Sequence, residues 1–234
     1  MANQVQIPSS ACIIGIAQSG KTTFSIENME QNPNWSIFLD RNRAYLRLRP
    51  PAVNYVTGPW SKVRREFIYL LAKHKKVIYN PATDDDIDAM LDTLFAIKNK
   101  AMRNFEPIYI YFDEVDLYVG RQNNVEMCWT KYQGAGIVPI GIVQRISQMR
   151  DLSILFNSNA GIVVFNVTDG DGYGLIQNYG IGLKIHPYHG DPKAPGPCPE
   201  TECDLCYIQH NSRIAGSKYI GAVWIPTAGQ VVRL

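Results

Sequence analysis

The feature that most constrains this chain lies near its start: Gly15-Ile16-Ala17-Gln18-Ser19-Gly20-Lys21-Thr22, set between an apolar run beginning at Ala11 and a stretch of helical character beginning at Lys21. A buried strand feeding a glycine-bounded turn and then a helix gathers backbone N–H groups and the positive end of the helix at one place. The glycines let the backbone close around an anion, and Lys-Thr at the helix start adds a cation and a hydroxyl. Two ordinary turn glycines would satisfy the spacing alone, but the strand before and the helix after single this turn out as a phosphate cradle. Gly15, Gln18, Ser19, Gly20, Lys21, Thr22 and Thr23 are therefore the expected ATP-binding residues. Lys21 would reach the β- and γ-phosphates, and Thr22 would offer its hydroxyl to Mg²⁺.

Such a cradle needs a sheet behind it, and the hydrophobic pattern supplies one. Short apolar runs at Ala11 to Ile16, Ser36 to Asp40, Val53 to Thr57, Lys76 to Tyr79, Ile108 to Asp113, Ile137 to Val143 and Gly161 to Asn166 alternate with longer amphipathic stretches. Helices are expected over Lys21 to Glu30, Ser61 to Lys73, Asp84 to Arg103 and part of Asn123 to Tyr132. The pattern predicts an α/β P-loop NTPase fold, its mostly parallel central sheet flanked by helices. The third helix is the clearest: Thr83 can cap it, Asp84, Asp85 and Asp86 sit at its positive end, and Ile87, Met90, Leu91, Leu94, Phe95 and Ile97 form its apolar stripe. Beyond about residue 184 the texture turns to His, Pro, Gly and Cys and then to a β-rich tail. The expected organisation is an ATPase core over 1–184, with a Cys/His-containing loop and terminal strands over 185–234 packed on the same domain.

With 234 residues, 46% hydrophobic, and a formal charge of only +2, the chain is long enough for one sizeable core and too apolar for disorder. No apolar run reaches the roughly 18 residues of a membrane span. Met1 to Ser10 has neither the basic flank nor the apolar segment of a signal peptide, so a cytoplasmic protein without a transmembrane segment is expected. Five cysteines, an odd count, argue against a disulfide framework. The near-neutral balance conceals two lobes: residues 41–76 carry ten Lys or Arg against Glu66 alone, and residues 77–120 carry nine acids against three bases.

The second half of a nucleotide site should be an acid at the end of another buried strand. Ile108-Tyr109-Ile110-Tyr111-Phe112 is followed by Asp113 and Glu114. Asp113 would hold Mg²⁺ through water, and Glu114 would orient and deprotonate the attacking water. A kinase acting on a small molecule needs no hydrolytic glutamate of this kind, so the pair favours an ATPase. Gln144, directly after the apolar run Ile137 to Val143, places an amide where it would contact the γ-phosphate or the attacking water.

Taken together, the phosphate loop, Asp113-Glu114, and Gln144-Arg145 with Ser147 resemble the Walker A, Walker B and post-strand Gln-Arg motifs of the FtsK-HerA superfamily of ring-forming, DNA-translocating ATPases. Ile154 to Gly180 resembles the strand and helix that follow in FtsK-type motors, so the resemblance spans about residues 9–182. Small size makes the chain most similar to the genome-packaging ATPases of tailless icosahedral viruses with internal membranes. The resemblance implies a RecA/FtsK-like core, double-stranded DNA as partner, and a homo-oligomeric ring, a hexamer, with sites completed by a neighbour's arginine. It further implies a protein of the host cytoplasm or the virion, and a capsid-vertex or membrane protein as a further partner. Gln144 and Arg145 would join Lys21 and Glu114 in catalysis. The proline usual after the Gln-Arg pair is Ile146 here, and Arg121, Arg145 and Arg150 are all candidates for the arginine supplied in trans.

Two features lie outside those motifs. Cys198, Cys203, Cys206 and His210 have spacing suited to a tetrahedral Zn²⁺ site, with His186 or His189 as alternatives to His210. Zinc would stiffen a Pro-rich loop with little apolar surface to bury. The basic lobe, with Arg41, Arg43, Arg47, Arg49, Lys62, Arg64 and Arg65 and interleaved Tyr45 and Trp60, could follow a phosphate backbone or simply be a solvated face. The principal alternative is a zinc-containing thymidine kinase, similar in size and in its phosphate loop and acid pair. Those enzymes carry two separated Cys pairs where this chain has one cluster. A nucleotide-gated scaffold is disfavoured by Glu114, the group such a switch would lack.

Overall fold

In the computed structural model the described residues are 10–49, 54–100, 106–115, 123–144, 161–167, 182–184, 203–212, 222–225 and 230–233. Their strands are β1 (Ala11–Ile14), β2 (Trp35–Leu39), β3 (Tyr55–Gly58), β4 (Lys76–Pro81), β5 (Ile108–Phe112), β6 (Ile137–Val143), β7 (Gly161–Val164), β8 (Ala222–Ile225) and β9 (Gln230–Arg233). The helices are α1 (Lys21–Gln31), α2 (Ala44–Leu48), α3 (Trp60–His74), α4 (Asp84–Lys100), α5 (Asn123–Thr130) and α6 (Asp204–Ser212), with a 3₁₀ turn at Tyr132–Ala135. The strands join in one sheet in the order β3-β4-β2-β5-β6-β1-β7-β8-β9. From β3 to β7 every pairing is parallel, while β7–β8 and β8–β9 are antiparallel.

Helices cover both faces of the parallel part, which is why β1 and β5 are buried at every position and read as unbroken apolar runs. On one face α3, α4, α5 and α6 pack over a large cluster in which Trp60, Phe67 and Tyr79 meet edge to face with centroids 5.1–5.8 Å apart. On the other, α1 and α2 contribute Phe24, Ile26, Met29 and Tyr45 to a smaller cluster. There Phe24 meets Phe165 edge-on at 5.4 Å, and the Tyr111 hydroxyl donates to Asn28 Oδ1 at 2.7 Å, so α1 is pinned to β7 and β5 together.

The start of α4 forms as its sequence dictates. Thr83 N and Oγ1 both donate to Asp86 Oδ2 at 2.9 Å, so the aspartate reaches back over the helix start, while Asp86 Oδ1 accepts from Trp60 N at 2.7 Å and ties α3 to α4. Other segments differ from the expectation. The strand at Ala11 ends at Ile14, two residues short of the expectation, although Gly15 N and Ile16 N still bond to Val143 O and Asn166 O as the chain enters the turn. The basic stretch after β2 contains α2, nucleated by Asp40. Within the expected Cys/His loop, 204–212 are helical, and Cys203, Leu205 and Ile208 are buried in the same cluster as α4 and α5. Among the described residues no helix is long and apolar enough to cross a membrane.

Candidate active site

The strand order assembles the site. β6 lies between β1 and β5, and β2 lies on the far side of β5. The registers Ile14↔Val143, Phe112↔Gly141 and Leu39↔Phe112 bring the four carboxyl-terminal ends to one edge. Gly15, Gln144, Asp113 with Glu114, and Asp40 each follow directly on those ends, where open parallel sheets bind their ligands.

The turn after β1 is built for close approach to its own backbone. A Cβ on Gly15 would stand 2.6 Å from Ser19 Oγ and 2.9 Å from Phe165 Cβ, so a side chain there would close the cradle. Gly20, the residue before α1, holds φ 93, which places the first N–H groups of the helix toward the turn. Lys21 is 6% exposed, and its Nζ donates to Ile16 O at 2.7 Å, inside the loop. Ser19 Oγ is buried without a hydrogen-bond partner. An orphaned hydroxyl, a glycine cradle and an inward lysine fit a bound phosphate chain. Gln18, at φ 62, is exposed at the tip, and Thr23 is half-buried on the first turn of α1.

The acids sit opposite. Asp113 is 5% exposed and accepts from Thr22 Oγ1 at 3.4 Å, a long contact between the two Mg²⁺ candidates. Its carboxyl is pushed up to about 7, chiefly by burial, with Glu114 and Asp40 adding to the rise and the Thr22 hydroxyl and Lys21 acting the other way. A hard-oxygen pair of this kind suits a divalent cation, whose charge would favour the ionised carboxylate. Glu114 holds a left-handed φ of 55 and presents its carboxylate to two amides. Gln144 Nε2 donates to Oε1 at 2.6 Å, and Asn42 Nδ2 donates to Oε2. Asp40 is fully buried and raised by that burial, although Tyr45 N and the Tyr55 hydroxyl, each at 2.9 Å, favour its ionised form.

Gly15, Ser19, Gly20, Lys21, Thr22, Asp113, Glu114 and Gln144 thus share one edge. Arg145, Arg121 and Arg150, with Ile146, Ser147 and Cys198, lie outside the described residues, as do His186 and His189. Cys203 is buried at the start of α6, where Cys206 N donates to its Sγ at 3.5 Å, and His210 falls on the same helix. Among the described residues no group of three His, Cys, Asp or Glu is placed to hold a metal ion. In the basic lobe, Tyr45 and Trp60 are core residues, 6% and 5% exposed, and the expectation that they interleave with the basic side chains is wrong. Their burial follows from α2 and α3 closing over β2, β3 and β4. Arg41 pairs with Asp84 at 2.5 Å and Arg49 with Glu30 at 3.3 Å, whereas Lys62, Arg64 and Arg65 are exposed on α3. Sequence reasoning missed Asn42 and Asp40; the one available signal was that β2, like β5, ends in an aspartate.

This arrangement, a parallel sheet with β6 inserted between the phosphate-loop strand and the acid-bearing strand, is a P-loop NTPase fold. Solved structures share it. The genome packaging NTPase B204 from Sulfolobus turreted icosahedral virus 2, in complex with ATP-gammaS, superposes with a TM-score of 0.59 at 12% identity, covering 96% of each chain. B204, the DNA-packaging ATPase from Sulfolobus turreted icosahedral virus, gives 0.57 at 13% identity over 97% of each. The pCW3 conjugation coupling protein TcpA, with ATPgS, gives 0.53 at 10% identity over 97% of this chain and 59% of that one. These likenesses bear out the fold that the FtsK-HerA resemblance implies. No family model and no curated protein matches the sequence.

Proposed function

We propose that this chain is an ATPase that drives double-stranded DNA translocation, the motor of viral genome packaging. The observation that carries it is the convergence of the Gly15–Thr22 cradle, Asp113, Glu114 and Gln144 on one sheet edge in a fold shared with B204 over nearly its whole length. Lys21 exchanges the Ile16 carbonyl for phosphate oxygens, Ser19 gains the partner it lacks, and Glu114 takes the proton of the attacking water. Mg²⁺, held by Thr22 and Asp113, would neutralise charge developing on the phosphates. Gln144, between the phosphate loop and Glu114, orients the water. Sites in a ring, a hexamer by analogy, are completed by Arg121, Arg145 or Arg150 of a neighbour; activity recovered on mixing an arginine variant with Glu114→Gln identifies which.

The deciding experiment measures Mg²⁺-dependent ATP turnover with and without double-stranded DNA, and separately with thymidine. DNA stimulation that fades steeply with salt supports the motor. Phosphorylation of thymidine replaces it with the nucleoside kinase. Residues 185–234 are proposed to belong to the same domain as the core, and Cys198, Cys203, Cys206 and His210 to hold one Zn²⁺. About one zinc per chain by elemental analysis is the expected result, and near zero removes that site.

A further inference from the structure

The basic lobe divides in two once its side chains are placed. Arg41 pairs with Asp84, Arg49 with Glu27 and Glu30, and Lys75 with Glu106, so those cations are met within the chain. Lys62, Arg64, Arg65 and Lys73 have no carboxylate partner among the described residues, and all four are exposed on α3. Spaced three and four apart, Lys62, Arg65, Tyr69 and Lys73 share one face of the helix, opposite the buried Phe67 and Leu71. From Lys62 to Lys73 the row runs about 16 Å along the helix.

What such a row can hold follows from its chemistry. The large apolar side chains of α3, Trp60, Phe67, Leu70 and Leu71, are spent on the core, and the outward row has no large aliphatic group to insert into a lipid surface. Its one ring, Tyr69, is 60% exposed, and Lys73 Nζ lies over it 5.6 Å from the centroid, so a cation already takes a ring face on which an unpaired base would stack. The tyrosine hydroxyl is instead a donor of the kind that contacts duplex phosphates beside lysine and arginine. On the neighbouring α4, joined to α3 where Trp60 N donates to Asp86, Asp85 and Asp92 are exposed, and their charge repels a polyanion and confines it to α3. A straight row of cations suits a rigid duplex, which presents one charge per about 1.7 Å of axis. The row is also separate from the phosphate loop: α3 packs on β3 and β4, with β2, β5 and β6 between β4 and β1.

We propose that the outward row of α3, Lys62, Arg65, Tyr69 and Lys73 with Arg64 beside it, is a docking surface for the phosphate backbone of double-stranded DNA. The inference rests on the motor reading above and names the surface by which the chain holds its track. Its test is fluorescence anisotropy of a labelled mixed-sequence duplex, titrated over a range of salt with the full chain and with the triple variant Lys62→Gln/Arg65→Gln/Lys73→Gln, alongside ATP turnover. Loss of three phosphate contacts should lower the slope of log affinity against log salt by about 2–3, and weaken low-salt binding by about tenfold or more. DNA-free turnover should stay within about twofold, because the row stands apart from the phosphate loop, while half-maximal stimulation should need more DNA. Glu66→Gln, which removes the one acid of α3, should tighten low-salt binding by about two- to threefold, a gain that a merely solvated face does not give. An unchanged salt slope in the triple variant overturns the proposal, as does an unchanged affinity in Glu66→Gln should the triple variant fail to fold. A single strand of the same length that binds more tightly than the duplex, with the preference lost in Tyr69→Leu, overturns it as well by giving the row to unpaired bases. Wild-type turnover that ignores DNA, with no binding at low salt, sinks the motor reading itself and is seen before any variant is compared.

Discussion

β2 and β5 are neighbours in the sheet, pair Leu39 with Phe112, and each is followed directly by a buried aspartate. Burial raises both carboxyls, yet their surroundings treat them differently. Asp40 accepts two bonds of 2.9 Å from the backbone of Tyr45 and the hydroxyl of Tyr55, and becomes the anchor of a turn. Asp113 has a 3.4 Å contact from Thr22 and a second carboxylate beside it. The same residue type, buried at both strand ends, is a structural anchor at one and the proposed cation ligand at the other. The difference lies in what the neighbouring loop supplies: full satisfaction fixes a charge in place, and partial satisfaction leaves it available to a ligand.

That contrast assigns chemistry to the end of β5 and stability to the end of β2. The largest effect should come from Glu114→Gln, which lowers steady-state ATP turnover by about 10³-fold while retaining nucleotide binding, because the amide cannot take a proton. Lys21→Ala should lose binding as well, read by titration with a fluorescent ATP analogue. Full turnover by Glu114→Gln would remove the chemical role from β5.

Asp113 sharpens the comparison through pH. Its carboxyl sits at about 7 in the ion-free fold against 3.8 in the unfolded chain, so between those values the folded state binds more protons. The stability this group contributes is present below about pH 4 and is lost as pH rises toward and past 7, by about 4 kcal/mol in all. Asp113→Asn should therefore raise the melting temperature of the ligand-free protein at pH 8 and leave it nearly unchanged at pH 4. The same variant should lose stabilisation by Mg²⁺-ATP. Asp40→Ala should do the reverse, costing about 2 kcal/mol in a denaturant titration because Tyr45 N and Tyr55 Oη lose their acceptor. Equal behaviour of the two variants would erase the distinction.

The chemical end was the more legible in sequence. Gly15 to Thr22 is a contiguous signal, and β5 and β6 announce themselves as apolar runs ending in Asp113 and Gln144, so each half of the site is local. Their order in the sheet is not: nothing in the chain says that β6 enters between β1 and β5, since parallel pairing is settled by packing of crossover helices. The anchoring end was almost invisible for the same reason. Asp40 finds Tyr55 fifteen residues later and Asn42 finds Glu114 seventy-two residues later, pairings that leave no periodic trace. α2 is five residues long with Arg47 in its last turn, so its two buried residues, Ala44 and Tyr45, were submerged in a basic stretch. α6 escaped because Pro, Gly and Cys around it dominate the local composition, although Leu205 and Ile208 are spaced for one buried face.

The smallest effects give the cleanest version of the contrast, because each aspartate accepts from one hydroxyl that can be deleted, that of Tyr55 for Asp40 and that of Thr22 for Asp113. Tyr55→Phe keeps the ring contact with Tyr45, whose centroid is 6.5 Å away, and removes only the donor to Asp40 Oδ2. Since Asp40 keeps its bond from Tyr45 N, the loss should be about 1 kcal/mol of stability by chemical denaturation, with the Mg²⁺ dependence of ATP turnover unaltered. Thr22→Val removes the donor to Asp113, but a contact of 3.4 Å is too long to contribute much, so stability should move by less than about 0.5 kcal/mol. What Thr22→Val should change is the Mg²⁺ concentration needed for half-maximal turnover, which rises because a metal-ligand oxygen is gone. If instead Tyr55→Phe shifts the Mg²⁺ requirement and Thr22→Val shifts only the unfolding midpoint, the two strand ends have exchanged roles and the assignment of Asp113 as the cation ligand falls with them.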